Sequence, residues 1–205
     1  FDSLGYVPKN ANVFPVEKDD TDAMLAVRRG LELGYRKFYL YGGLDGSRLD
    51  HTVANFQTLQ FLADHGVAVV TPNYRLYPAA KYPDFLTDSA KAVAWVFENI
   101  CLYGKATEIY VGGSSAGGYI SQMLCLDDTW LSANGIKPTD VAGFVHDAGQ
   151  PTCHFNVLKE RGLDTRRIVI DETAPLYHID ENHSDVPMLL IVSDQDIENR
   201  YEQTM

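Results

Sequence analysis

A short apolar run, Glu108-Ile109-Tyr110-Val111, meets Gly113-Ser114-Ser115-Ala116-Gly117, and an apolar, helix-like stretch from Tyr119 to Leu126 follows at once. Gly-x-Ser-x-Gly between a strand and a helix restricts the backbone to a very sharp turn, in which side chains beside the serine would collide. Gly113 and Gly117 must therefore be small. Such a turn places Ser115 at a strained tip with its hydroxyl exposed, and aims the N–H of Ala116 at an oxyanion developing nearby. Without the flanking strand and helix, the same pentapeptide would be an ordinary glycine-rich turn.

The rest of the chain repeats the alternation. Asn12 to Val16 is a short strand candidate, and Asp19, Asp20 and Thr21 supply N-cap chemistry for a helix reaching Leu33, with Gly34 as its stop. Lys37 to Tyr41 is strand-like and ends at Gly42-Gly43. His51 to His65 carries Val53, Phe56, Leu59 and Leu62 at near-helical spacing. Val67 to Val70 is a β-branched run expected to be a strand buried on both faces. Asp84 to Ile100 is expected to be a helix with Phe85, Ala92, Trp95 and Val96 inward. Strands follow at Val141 to Val145 and at Met188 to Val192. This order predicts an α/β fold, three-layered (α/β/α) around a mainly parallel sheet.

Composition narrows the partners. A net charge of -11 over 205 residues argues against nucleic acid or an anionic membrane surface. No apolar run approaches the roughly 20 residues of a membrane span, and no signal peptide opens the chain. The three cysteines, Cys101, Cys125 and Cys153, lack paired spacing, which disfavours disulfides and metal and suggests reduced thiols in the cytoplasm. The chain opens on Phe1 without an initiator methionine and stops at Met205 within a helix-like stretch, so both ends read as cut.

From Val67 onward the sequence resembles the α/β-hydrolase family, in particular its hormone-sensitive-lipase-like esterases. The motifs that carry the resemblance are Asn73-Tyr74-Arg75-Leu76-Tyr77-Pro78, Tyr82-Pro83 through Asp88, and Gly113-Ser114-Ser115-Ala116-Gly117-Gly118. It implies an α/β-hydrolase-like sheet, incomplete at both ends, over residues 67–205. It further implies an acyl-enzyme mechanism on a small-molecule ester, with Ser115 attacking and no cofactor. The acid is implied just after the last strand, where Asp194 and Asp196 compete; Asp196 has the preferred spacing. All six histidines (His51, His65, His146, His154, His178, His183) precede Asp196, whereas the family's catalytic histidine follows its acid. His154 is expected to shape a pocket or satisfy a loop, and His178 and His183 to lie on the surface. The activity expected of this polypeptide is accordingly impaired.

Residues 1–66 resemble a different family, the catalytic domain of thiamine diphosphokinase, as a βαβα segment. The likeness rests on Glu17-Lys18-Asp19-Asp20-Thr21-Asp22 and on Tyr41-Gly42-Gly43-Leu44-Asp45-Gly46-Ser47-Arg48-Leu49-Asp50-His51-Thr52-Val53-Ala54-Asn55. It implies ATP and thiamine as ligands, Mg²⁺ held by Asp2, Asp19 and Asp22, and nucleotide or substrate contacts from Lys18, Arg48, Asp50, His51 and Asn55. Helix capping would account for Asp19, Asp20 and Asp22 equally simply. The two resemblances together suggest a composite of two partial sequences, with a non-catalytic product as a further reading. If the first segment fills the slot before Val67 in one sheet, Gly42 and Gly43 would add oxyanion N–H groups to that of Ala116.

Overall fold

The computed structural model describes residues 22–32, 60–179, 185–192 and 203–204. The chain divides into two compact units, one of residues 1–38 and 43–67 and the other of 39–42 and 68–205. In the first, helix α1 (Asp22–Glu32) buries Met24 and Val27, three residues apart on one face. Helical turns through 60–64 end at Gly66, whose φ of 75° suits a residue without Cβ. Val67 N–H returns to Leu62 O at 3.0 Å and so closes that helix.

The second unit holds the sheet. Helix α2 (Asp84–Asn99) is followed by strand β1 (Tyr110–Ser114), helix α3 (Ala116–Leu126), the short helix α4 (Asp128–Ser132), strand β2 (Gly143–Asp147), helix α5 (Phe155–Glu160) and strand β3 (Met188–Ile191). Among the described residues the strands run parallel in the order β1-β2-β3, with Gly113 opposite His146 and His146 opposite Leu190. The expected α/β architecture with a parallel sheet and flanking helices is therefore present. Helix α3 is the core element: every residue from Gly118 to Leu126 is buried, packed with Val111, Phe144, Leu131 and Val141. Between residues 74 and 88, Tyr74 packs on this core while the guanidinium of Arg75 meets the Asp88 carboxylate through two 2.8 Å hydrogen bonds. Those bonds, and a third from the Arg75 N–H, hold the Asp88 carboxyl down at about 2.

Three expectations are corrected here. Val67 to Val70 is not a regular strand: Val67 is buried, Ala68 is exposed, and Val69 and Val70 are half-buried. The β-branched run therefore does not signal burial on both faces. Trp95 is 43% exposed and lies against Tyr103, with ring centroids 5.8 Å apart, because the inward stripe of α2 is Leu86, Ala90, Val93 and Phe97. That stripe has i, i+4, i+7, i+11 spacing, one position out of phase with Trp95. Strand β2 begins at Gly143 rather than Val141, since Pro138 to Asp140 form a 3₁₀ turn whose last hydrogen bond uses the Val141 N–H.

Candidate active site

The bend after β1 is enforced by backbone contacts. A Cβ on Gly113 would stand 2.3 Å from the carbonyl of Gly117, so α3 can start there only over a bare residue. Gly118 and Gly149 approach each other in the same way, with a Cβ on Gly118 only 2.7 Å from Gly149 Cα. Ser115 sits at the tip, exposed, at φ 55° and ψ -112°, a region that costs a residue bearing Cβ on the order of 1–3 kcal/mol. Two hydrogen bonds brace it there: Ser115 N–H donates to Asp147 O at 2.9 Å, and Ser115 O accepts from Tyr119 N–H at 3.0 Å to begin α3. Ala116 is the first residue of α3, a position whose N–H lies before the helix's own hydrogen-bond ladder begins. The serine side chain does not cap the helix, so its hydroxyl is not drawn into the fold. Ser115 thus stands exposed on a sharp bend between β1 and α3, with Ala116 opening the helix.

The neighbouring wall is the segment after β2. Ala148 adopts φ 47° and donates to Ile191 O at 2.8 Å. Gln150, Thr152, Cys153 and His154 are buried, with the Gln150 amide bridging Thr152 Oγ1, Cys153 O and Phe155 N. His154 Nδ1 accepts from Asn156 N–H and so caps α5, while its ring lies 5.1 Å from that of Tyr119. Tyr119 donates its hydroxyl to Thr173 O at 2.6 Å, and burial pushes its pKa well up. His178 is less superficial than expected: its side chain is 17% exposed, bonded to Glu172 O and 3.7 Å from the Asp127 carboxylate.

His146 was not singled out by its pattern, yet it is buried in β2 with Nδ1 2.9 Å from Ser121 Oγ. Burial alone drives its pKa down to about 4, so it is neutral at ordinary pH. A histidine directly after the apolar residues 144–145, within the strand 143–147, was the available signal. Burial likewise pushes the Cys125 thiol up to about 12, and all three cysteines are free.

Of the other predicted site residues, Asp194 and Asp196, Gly42 and Gly43, and Asp2, Lys18, Asp19, Arg48, Asp50, His51 and Asn55 lie outside the described residues. Asp22 opens α1, but its side chain does not belong to the described part. Among the described residues no cluster of three or more His, Cys, Asp or Glu could hold a metal ion.

The family model for the alpha/beta hydrolase fold matches residues 47–150, just over half of the chain, and the chain belongs to that family. The match begins at Ser47, so it overlaps the last third of the stretch that resembles the kinase. Among individual proteins, carboxylesterase NlhH of Mycobacterium tuberculosis is 46% identical over 57 residues, 27% of this chain and 18% of that protein. Esterase LipQ of the same organism is 24% identical over 149 residues, 64% of this chain and 34% of that protein. An esterase from Rhizomucor miehei superposes with a TM-score of 0.54 at 20% identity, covering 82% of this chain and 58% of its own. The chain thus aligns with less than two thirds of each of these relatives. No described helix is long and apolar enough to cross a membrane.

Proposed function

We propose that the chain is a serine carboxylic-ester hydrolase acting on small-molecule esters, with Ser115 as nucleophile and Ala116 N–H as an oxyanion donor. The observation that carries this reading is the strained, exposed Ser115 at the junction of β1 and α3. A fold keeps such a backbone only where surrounding contacts over-determine it, and here Gly113, Gly117, Gly118 and Gly149 do so. In this reading the hydroxyl adds to an ester carbonyl, the alcohol leaves, and water releases the acid from the acyl-serine. The acid is assigned to Asp196, beyond the end of β3, by its spacing in the sequence. Among the described residues no side chain takes a hydrogen bond from the Ser115 hydroxyl.

A fluorophosphonate probe tests the nucleophile without requiring turnover. One probe per folded chain, lost in Ser115→Ala, is the expected result; an unlabelled but folded parent chain would sink the esterase reading. The kinase-like and composite readings of residues 1–66 rest on motifs alone. The kinase-like reading would gain from ATP- and thiamine-dependent formation of thiamine diphosphate; a folded chain with neither that activity nor labelling would leave the composite.

A further inference from the structure

One turn beyond the elbow, a polar pair is buried where apolar residues would fit more simply. Ser121 on α3 and His146 on β2 are each 1% exposed. Ser121 Oγ lies 2.9 Å from Gly118 O and 2.9 Å from His146 Nδ1. A hydroxyl has one proton, so a single arrangement serves both contacts: Oγ–H donates to the Gly118 carbonyl, and Nδ1–H donates to Oγ. This network assigns the tautomer and leaves Nε2 with a bare lone pair, which has no hydrogen-bond partner among the described residues. A side chain kept for filling space alone would be better as Leu or Phe, which leave no polar atom unpaired.

The position of the pair supplies a reason for it. Gly118, which receives the Ser121 hydroxyl, lies so close to β2 that a Cβ there would stand 2.6 Å from Asp147 O. The same Asp147 carbonyl accepts the Ser115 N–H at 2.9 Å. His146 is the residue before Asp147, and on the sheet it stands beside Gly113, over which α3 begins. One carbonyl therefore sits between the serine's own peptide and the first turn of α3, and the imidazole of the preceding residue reaches that turn through Ser121 Oγ, which donates to Gly118 O.

We propose that His146 and Ser121 form a positioning pair, whose hydrogen bond fixes the first turn of α3 against the end of β2 and so aims the Ser115 hydroxyl and the Ala116 amide. Its catalytic meaning rests on the esterase reading; the spacing role itself rests only on these contacts. Asparagine places a side-chain nitrogen where Nδ1 stands and has nothing at Nε2, so His146→Asn should keep the bond, whereas His146→Leu fills the space without it.

The experiment compares the parent, Ser121→Ala, His146→Leu and His146→Asn by two measurements. The first is the second-order rate constant of fluorophosphonate labelling, with the labelled fraction at saturation recorded separately. Ser121→Ala and His146→Leu should lower the rate constant about tenfold or more, since a displacement near 1 Å can cost about a hundredfold. His146→Asn should stay near the parent. A purely structural role would reduce the saturating fraction and leave the rate constant of the folded molecules alone. The second measurement is hydrogen exchange over residues 113–121, which needs no reactive serine. Faster exchange in Ser121→Ala and His146→Leu, with parent-like exchange in His146→Asn, supports the pair; equal exchange in all four overturns it. A parent chain that exchanges as expected but takes no label removes the esterase reading and retains the spacing role.

Discussion

Strands β1 and β3 lie in one parallel sheet, one ladder apart on either side of β2, yet they are held by different forces. Around β1 the backbone itself is packed: bare glycines at 112, 113, 117, 118 and 149 let α3 and β2 come within atomic contact. Strand β3 has its ladder to β2, but Met188, Leu189, Leu190 and Ile191 are 39–55% exposed, on both faces. Steric exclusion permits almost no drift, since a few tenths of an ångström already bring atoms into collision. A ladder with half-buried side chains fixes register but supplies little of the burial that makes a strand expensive to displace. Ser115, the proposed nucleophile, thus stands on the closely packed side of the sheet, and the proposed acid follows the more exposed strand in sequence.

The largest expected effect breaks the rigid side. In Gly113→Ala the new methyl would stand 2.3 Å from backbone atoms of Gly117, which cannot rotate away. A cost above about 4 kcal/mol is expected, enough to unfold a marginal domain, together with loss of labelling. Gly104→Ala is the matched control, because a Cβ there meets nothing within 4 Å; its unfolding free energy from urea titration should stay within about 0.5 kcal/mol of the parent. Equal unfolding midpoints for the two variants would mean that the close approach at the elbow does not exist.

A second pair sharpens the comparison across the sheet. Leu124 on α3 is 1% exposed, so Leu124→Ala should cost about 3 kcal/mol through lost burial and the cavity left behind. Leu190 on β3 is 47% exposed, and Leu190→Ala should cost about 1 kcal/mol. Denaturant titration of both variants gives the ratio. A Leu190→Ala cost equal to that of Leu124→Ala would show that β3 is covered in solution and that the contrast between the strands is false.

The same contrast decides what could be read from the sequence. The elbow was legible because its determinants are local: a strand, two glycines around a serine and a helix within about 20 residues leave one geometry. The parallel order of elements was legible for the same reason, from period and length. What failed depended on distant neighbours. The phase of α2 is fixed by which side of it meets α3 and α4, so Trp95 faced outward although its own residue type favours burial. Val67 to Val70 has strand composition, but the Val67 N–H is used by the preceding helix. The link between His146 and Ser121 spans 25 residues and depends on the crossover that lays α3 over β2, so no spacing rule marks it. Glycines 118 and 149 are paired by that same packing, 31 positions apart. For Asp196 the spacing after β3 is the whole argument, and it stays a proposal.

The smallest effect isolates the strain at Ser115. Its φ of 55° with ψ of -112° is unfavourable for any residue with a Cβ and open to glycine. Ser115→Gly should therefore relieve the turn, gaining up to about 1 kcal/mol after the extra freedom of the unfolded glycine is subtracted. Ser115→Ala removes the same hydroxyl but retains the Cβ, so its stability should match the parent within about 0.5 kcal/mol. Neither variant can be labelled, and only the backbone term separates them. A Ser115→Gly midpoint above that of Ser115→Ala would show that the fold gives up stability to present this hydroxyl, the trade-off expected of a reactive position. A midpoint at or below it would mean an unstrained turn, and the strongest physical reason for treating Ser115 as a nucleophile would be gone.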